Sequence, residues 1–273
     1  MSKLYSCFFR FICLKLFNLR NQILELFYTS ECIVCYSDVG TRTLSVSNES
    51  NATPWIPLCS ACQELIVLEE HKMCRFCAGS KYVKEPSPLK CNSCSKRKFL
   101  FQKVVALGKY EGILRYSILK MKNELTRNRS TVLARLLYEI RRMQLEELNV
   151  DLIIPVPMFR LRKFRRGVNS SELIAQELAI QMKVPICHNA VRRIRATQPQ
   201  FFISTKERFL NVRNAFQINP KRRNALKDKR ILLVDDILTS GATCNEISRI
   251  LLEANVSAIF IAVLARAEGR PKY

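Results

Sequence analysis

From residue 103 onwards, short apolar runs alternate with stretches of helical spacing. The apolar runs predict strands at Val104–Leu107, Leu152–Val156, Ile231–Val234 and Ala258–Leu264. The stretches between them predict helices at Leu114–Lys122, Val132–Leu148, Ser171–Met182 and Cys244–Ala254. Strands that alternate with helices indicate the α/β class, with a mostly parallel sheet flanked by helices. Such sheets bind ligands beyond the carboxyl ends of their strands.

The third apolar run opens a segment whose chemistry suits a sugar phosphate. Residues 231–243 read ILLVDDILTSGAT. Asp235 and Asp236 follow a strand typical of a buried position, and their carboxylates can accept hydrogen bonds from vicinal hydroxyls or help to hold a metal ion. Gly241 permits a tight turn before the next helix, whose first amides attract an anion. Hydroxyl donors are added by Thr239, Ser240 and Thr243.

Other phosphate loops do not match this segment. It has no GxxxxGK[ST] and no GxGxxG pattern, which excludes a Walker A loop and a dinucleotide fingerprint. A single threonine at a helix start is usually only a helix cap. The segment combines, in order, a strand, two acids and three hydroxyls around a glycine. This order favours a phosphate-binding loop beside a pair of acids that hold a diol (a diol clamp).

Eight of the twelve cysteines form four CxxC pairs in the amino-terminal part of the chain. They are Cys32, Cys35, Cys59, Cys62, Cys74, Cys77, Cys91 and Cys94. Two such pairs can surround one tetrahedral ion, and four pairs close together are a strong zinc signal. Eight thiolates would fill two sites and leave no position for water, which indicates two structural zinc sites. Sequential pairing of the knuckles is favoured, and an interleaved arrangement is the alternative.

These patterns divide the chain into three parts. Residues 1–30 form a predicted helical extension, residues 31–100 a double zinc-ribbon module, and residues 101–273 the α/β domain. The extension packs on the protein in one interpretation and lies on a membrane surface in the other. It has no clean apolar run or cleavage site of a secretory signal, and no stretch of the chain suits a transmembrane segment. A cytoplasmic location is therefore expected.

The net charge is +22, and the basic residues are clustered. The clusters lie at 160–166, 192–195 and 221–230. A solvated charged face would explain any one of them. Three clusters together with this overall imbalance favour a nucleic acid, a pyrophosphate group or both as partners.

The sequence VDDILTSGAT resembles the phosphoribosyl pyrophosphate signature of the type I phosphoribosyltransferases. In that family the two acids bind the ribose hydroxyls and the loop binds the 5′-phosphate. The resemblance implies that Asp235 and Asp236 are the catalytic-site acids. It implies phosphate contacts from Leu238, Thr239, Ser240, Gly241, Ala242 and Thr243, with Mg²⁺ accompanying phosphoribosyl pyrophosphate.

Further segments are similar to the ComF family of competence proteins, which combine an amino-terminal zinc module with a phosphoribosyltransferase domain. The chain carries the PVP motif, a basic stretch and an RG-x-N element between residues 151 and 179. This resemblance implies pyrophosphate or DNA contacts from Lys122, Pro155, Val156, Pro157, Arg160, Arg162, Arg166 and Asn169. Ser170 departs from the glutamine that is common in the family after the RG-x-N asparagine. The segment Arg192–Asn211 is similar to the family's segment bearing Thr197, Gln200, Arg208 and Asn211, and is expected to cover the site as a hood.

Two functions follow from this resemblance. In the first, the protein binds phosphoribosyl pyrophosphate or a related sugar phosphate and acts in natural transformation, in the uptake or cytoplasmic handling of single-stranded DNA. In the second, it is a non-catalytic nucleic-acid-binding factor whose phosphoribosyl site senses a ligand or grips DNA phosphates. DNA-uptake or recombination proteins are further expected partners. An amidophosphoribosyltransferase with a glutaminase half is disfavoured because Cys7 is not positioned as an amino-terminal nucleophile. No residue identifies the acceptor, so the sequence leaves turnover open.

Overall fold

The computed structural model describes the chain in several segments. They comprise residues 31–39, 56–80, 91, 94, 98–123, 128–159, 169–198 and 204–268. The chain separates into two compact units, Met1–Gln63 and Glu64–Tyr273. The predicted helical extension, residues 1–30, lies outside the described residues, as do Arg160, Arg162 and Arg166. The three-part division predicted from the sequence stays a prediction.

A four-stranded parallel sheet forms the centre of the second unit. Its strands are β1 (Lys103–Lys109), β2 (Leu152–Pro155), β5 (Arg230–Leu238) and β6 (Ala258–Arg266). They lie in the order β1-β6-β5-β2, and all three neighbouring pairs are parallel. Every residue of β6 is buried, as expected for a central strand covered on both faces. The predicted α/β class with a mostly parallel sheet is confirmed.

The described residues form seven α-helices. They are α1 (Ser60–Ile66), α2 (Gly112–Asn123), α3 (Asn128–Glu146), α4 (Ser170–Met182), α5 (Thr205–Val212), α6 (Arg223–Leu226) and α7 (Ala242–Leu252). The α3 and α4 helices pack against each other, and α4 also packs on β2 and β5. The α7 helix packs with α5. The four helices predicted from apolar spacing correspond to α2, α3, α4 and α7.

A second, two-stranded sheet was not predicted. β3 (Val191–Arg193) and β4 (Phe216–Ile218) pair in antiparallel fashion, and α5 lies between them in the chain. Each strand has three residues, which is too short for a recognisable alternation. Ser204 and Glu207 form a reciprocal capping box that starts α5.

The central strand β5 is longer than the apolar run predicts. It continues through both aspartates to Leu238, and Ile237 and Leu238 still pair with β6. The acids therefore sit on a hydrogen-bonded strand rather than in a loop, which fixes their backbone. Among the described residues, no helix combines the length and the apolar character that crossing a membrane would require.

Candidate ligand-binding site and cysteine centres

The carboxyl end of β5 opens into a cavity of about 250 Å³. Its walls come from the end of β2, the first turn of α4, the loop between β5 and α7, and the residues that follow β3. Lining residues predicted from the sequence or its resemblance are Lys122, Val156, Pro157, Asn169, Thr197, Asp235, Asp236, Leu238, Thr239, Gly241, Ala242 and Thr243. The fold thus brings together segments that are far apart in the sequence, at the edge where parallel sheets bind ligands.

The two acids of β5 have different partners. Asp236 Oδ2 lies 2.8 Å from Lys122 Nζ, and both side chains are largely buried. Asp235 Oδ1 accepts a hydrogen bond of 2.8 Å from the Ser171 hydroxyl and another of 2.8 Å from the Asp236 amide. One carboxylate is therefore paired with a cation, whereas the other is held by neutral donors.

These surroundings shift the protonation of two groups. Burial, and then the charge of Asp236, raise the pKa of Asp235 to about 7, although its hydrogen bonds oppose the change. Burial disfavours the charged form of Lys122, but Asp236, followed by Asp235 and Tyr110, outweighs that effect and raises the lysine pKa. At neutral pH, the charge of the two adjacent acids is therefore offset by one ammonium group and by partial protonation of Asp235.

The raised pKa of Asp235 leads to a prediction about pH. Its protonated form stabilises the ligand-free fold below its ordinary pKa of 3.8, and this contribution is lost as the pH rises to about 7. The affinity for a ligand that binds the ionised carboxylate should instead increase as the pH rises. We expect affinity for a Mg²⁺-bound ribose phosphate to fall as the pH drops from 8 to about 6. Calorimetric titration across this range measures it, and an affinity that stays constant would contradict the prediction.

The loop after β5, residues 239–241, is called the phosphate loop after the group that it is predicted to bind, and its geometry suits an anion. Gly241 has a φ of 80°, in the left-handed region, and is the residue that precedes α7. The first amides of a helix of this length favour a negative group. Thr239 and Thr243 line the cavity, whereas Ser240 is 3% exposed and its Oγ accepts the Ala242 amide at 3.3 Å. Ser240 thus stabilises the turn, while its neighbours face the ligand space.

The PVP segment supports the opposite wall. Pro155 ends β2, and Val156 and Pro157 line the cavity. The Asn169 amide donates a hydrogen bond of 3.1 Å to the Val156 carbonyl, so the asparagine of the RG-x-N element fastens the motif to the start of α4. The predicted contribution of this segment's arginines stays a prediction, because those residues are outside the described structure.

The predicted hood brings further polar groups to the cavity. Arg193, Thr197 and Gln198 line it, and the Arg193 guanidinium donates to the Thr197 hydroxyl. Asn211 holds this segment from α5: its Oδ1 accepts the Gln198 amide at 3.1 Å, and its Nδ2 donates to the Gln198 carbonyl at 2.9 Å. Gln200 lies outside the described residues.

Two residues that contact the predicted site were missed in the sequence. Ser171 bonds to Asp235, yet a serine in the first turn of a helix carries no distinguishing pattern. Arg266 lies at the end of β6, and its guanidinium donates to the carbonyls of Leu238, the last residue of β5, and of Thr239 in the phosphate loop. The only available signal was a charged residue that closes a wholly apolar strand.

The eight knuckle cysteines gather into two tetrads, in sequential order. The first tetrad comprises Cys32, Cys35, Cys59 and Cys62, and the second comprises Cys74, Cys77, Cys91 and Cys94. The sulfur atoms within each tetrad lie within 4.8 Å of one another. The sequential pairing is therefore the one that the fold adopts. All four members of the second tetrad are buried.

The opening knuckles of the two tetrads have the same backbone. The Cys32 amide donates to the Ser37 carbonyl at 2.7 Å, and the Cys74 amide donates to the Gly79 carbonyl at 2.7 Å. The residue after each second cysteine, Tyr36 or Ala78, has a positive φ. This repeated turn holds two sulfur atoms on one side, as a tetrahedral metal site requires.

The sulfur separations fit zinc. Neighbouring sulfurs are 3.7 Å apart between Cys35 and Cys59, and 3.6 Å apart between Cys74 and Cys94. A tetrahedral site with Zn–S bonds of about 2.3 Å has sulfurs about 3.8 Å apart, whereas a disulfide needs about 2.05 Å. Hydrogen bonds from Ser37 also lower the pKa of Cys35 to about 6, which favours the thiolate. Each tetrad could hold one zinc ion in a structural role.

The chain is similar to several known proteins. Residues 125–272 match the family model described as a phosphoribosyl transferase domain. The chain is 35% identical over 216 residues to Competence protein F of Haemophilus influenzae, covering 77% of this chain and 90% of the relative. It is 28% identical over 224 residues to DNA utilization protein YhgH of Escherichia coli K12, covering 77% and 96%. Among solved structures, it is similar to purine phosphoribosyltransferase from Pyrococcus horikoshii, with a TM-score of 0.30 and 18% identity over 60% of this chain and 77% of that one.

Proposed function

Since this chain belongs to the competence protein F family and carries a phosphoribosyl transferase domain, we propose that it binds phosphoribosyl pyrophosphate, or a closely related sugar phosphate, in natural transformation. The observation that carries the proposal is the Asp235–Asp236 pair on β5 beside the Gly241 turn, in one cavity. The pair suits the two ribose hydroxyls, and the turn suits the 5′-phosphate. The acids precede the turn in the chain, just as the two ribose hydroxyls precede the 5′-phosphate along the sugar.

Lys122 completes this arrangement. It neutralises Asp236 when no ligand is bound, at a distance of 2.8 Å. In the proposed complex its ammonium group turns to the pyrophosphate oxygens, while the ribose hydroxyls take its place on the acid. The exchange substitutes one charge-assisted contact for another, so the buried carboxylate keeps a partner throughout.

Magnesium fits the same site. Oxygen ligands suit Mg²⁺, and the carboxylates of Asp235 and Asp236 are the residues that would hold it together with the ligand. When bound, the ion would neutralise charge on the diphosphate. The chain itself would orient the ribose and the 5′-phosphate, with Thr197 and Gln198 at the border of the cavity.

The site assignment is tested by calorimetric titration of the full chain with phosphoribosyl pyrophosphate in the presence of Mg²⁺. We expect one site per chain. Ribose 5-phosphate should bind more weakly, because it lacks the diphosphate. Absence of binding by both compounds would refute the proposed function.

A role with DNA is proposed from the relatives and from the charge distribution. The relatives' names refer to competence and to DNA utilization. The third basic cluster is exposed on the second unit, just before β5 begins: Lys221, Arg222, Arg223, Lys227 and Lys229. It therefore lies at the opposite end of the strand from the cavity, so DNA and the sugar phosphate can bind at the same time.

We expect this cluster to give single-stranded DNA binding a steep salt dependence. Changing Lys221, Arg222 and Lys227 to alanine should reduce the slope of log affinity against log salt by about 2, since each phosphate contact to a single strand contributes about 0.7. Fluorescence anisotropy at several salt concentrations measures the slope. The control is Arg115→Ala with Lys120→Ala, which removes two exposed bases on α2. An equal change in both variants would place the DNA elsewhere.

The alternative function is a non-catalytic factor in which the sugar phosphate is a signal for DNA binding. The separation of the basic cluster from the cavity favours it, because the two ligands need not react with each other. Release of pyrophosphate in the presence of candidate acceptors distinguishes the two functions. Release that requires Asp235 and Asp236 would support a phosphoribosyltransferase, whereas tighter DNA binding without release would support the sensor.

A further inference from the structure

One buried arginine joins the second tetrad to the phosphate loop. Arg266 is the last residue of β6 and is 3% exposed. Its Nε donates to the Cys77 carbonyl at 3.0 Å, and its Nη1 donates to the Leu238 carbonyl at 2.9 Å and to the Thr239 carbonyl. The carbonyl and the following amide of a trans peptide point in opposite directions. Arg266 therefore directs the amides of Thr239 and Ser240 away from itself.

Within the described residues, Arg266 forms no ion pair with a carboxylate. Its hydrogen-bond acceptors in the described part of the chain are all main-chain carbonyls, with Ala267 as the fourth. A buried cation without an anion is costly. Four thiolates around a divalent metal ion carry a net charge of −2, and Cys77, one of the four, is the residue whose carbonyl the guanidinium contacts. A metal-loaded second tetrad would supply negative charge beside the guanidinium.

An aromatic contact links the same two features independently. Phe99 packs against the four cysteines of the second tetrad and stacks on Phe101 with ring centroids 4.7 Å apart. A Cβ built on Gly241 would also lie 2.9 Å from Phe99 Cε1. The next amide, of Leu100, donates to Asn245 Oδ1 in the first turn of α7 at 2.8 Å. Residues 99–100 thus connect the tetrad to the turn of the phosphate loop.

We propose that a metal ion in the second tetrad holds the phosphate loop in its binding conformation through Arg266, so that loss of this ion lowers the affinity of the cavity for sugar phosphates. Arg266 is a positioning residue in this arrangement, since it does not line the cavity. The inference rests on the proposed function, because it assigns the control of the same site. By linkage, a bound sugar phosphate must strengthen retention of the ion by the same factor.

The experiment uses the full chain with Cys35→Ser and Cys59→Ser, which is called the parent. These substitutions break the first tetrad and leave the second tetrad complete. Zinc content is measured by elemental analysis, and ribose 5-phosphate is the probe in calorimetric titrations. The ion is then removed with a chelator and restored with Zn²⁺. We expect removal to weaken binding about 10-fold or more, and restoration to recover it.

Arg266→Met tests the route of the coupling. With zinc bound, Arg266→Met in the parent is expected to bind ribose 5-phosphate as weakly as the zinc-free parent does. Removal of zinc from this variant should then change its affinity for ribose 5-phosphate less than twofold. Arg266→Lys keeps the charge but loses the forked donors. Its affinity for ribose 5-phosphate should lie between those of the zinc-loaded parent and Arg266→Met. A parent that binds equally well with and without zinc would refute the inference. The inference would also be refuted if Arg266→Met had the same affinity for ribose 5-phosphate as the parent and responded to zinc removal in the same way.

A second readout keeps the test decisive if Arg266→Met does not fold, as judged by circular dichroism. The rate of zinc transfer to a chelator is measured in the parent with and without saturating ribose 5-phosphate. Slower transfer with the ligand is expected, and an unchanged rate would overturn the coupling. If the zinc-loaded parent binds neither ribose 5-phosphate nor phosphoribosyl pyrophosphate, the proposed function itself fails, and the inference fails with it.

Discussion

Asp236→Asn is expected to weaken the binding of Mg²⁺-bound phosphoribosyl pyrophosphate at least about 100-fold. A hydrogen bond to a charged group contributes about 1.5–3 kcal/mol, and the substitution also removes a magnesium ligand and the partner of Lys122. Asp235→Asn should have a comparable effect on binding, because its carboxylate completes the diol clamp. Calorimetric titration measures both losses, and circular dichroism checks that the variants are folded.

The control for this prediction is Asp228→Asn. Asp228 is exposed, precedes the amino end of β5 and has a φ of 60°, a conformation that asparagine adopts readily. The control therefore makes the same change of net charge, far along the strand from the cavity. An affinity loss of similar size in Asp228→Asn and Asp236→Asn would mean that overall charge, and not the clamp, determines binding.

Hydrophobic periodicity was sufficient to predict the sheet and the four main helices. The apolar runs at 104, 152, 231 and 258 each became a parallel strand, because strands buried on both faces leave a continuous apolar signal. The end of β5 could not be placed, since the acids interrupt the signal. Both acids line the cavity, and the strand continues through them to Leu238.

The site was predictable where its chemistry is local and hidden where it depends on the fold. The acids, the glycine and the threonines lie within one short segment, and their order carries the signal. Ser171, in contrast, meets Asp235 across 64 positions of sequence, and only the packing of α4 on β5 brings them together. Arg266 is a comparable case, because its partners are main-chain carbonyls, which leave no trace in side-chain patterns.

The cysteine pairing shows how spacing alone can be insufficient. Four CxxC pairs permit sequential or interleaved sites, since each pair offers the same two ligands. The fold brings the sequential pairs together, and the first pair of each tetrad has a similar turn, with a left-handed residue at Tyr36 or Ala78. Neither residue is glycine, so the sequence did not reveal this turn.

Gly241→Ala is expected to weaken sugar phosphate binding by about 30-fold. A left-handed backbone costs about 1–2 kcal/mol for a residue with a side chain, and Gly241 has a φ of 80°. The new methyl group would also lie 2.9 Å from Phe99, whose ring is fixed between Phe101 and the second tetrad. The loop must therefore move, and the amides at the start of α7 lose their alignment with the phosphate. Titration with ribose 5-phosphate measures the effect.

Two further variants separate the steric cause from the backbone strain. Gly112→Ala places a methyl group at a φ of 50° with nothing within 4 Å, so it should lower stability but leave ligand binding intact. Adding Phe99→Leu to Gly241→Ala should recover part of the affinity, because a smaller side chain gives the methyl group room. The backbone cost at Gly241 remains in this double variant, so recovery should be incomplete. Failure to recover any affinity would mean that the left-handed turn alone shapes the phosphate loop, without help from the aromatic contact to the cysteine centre.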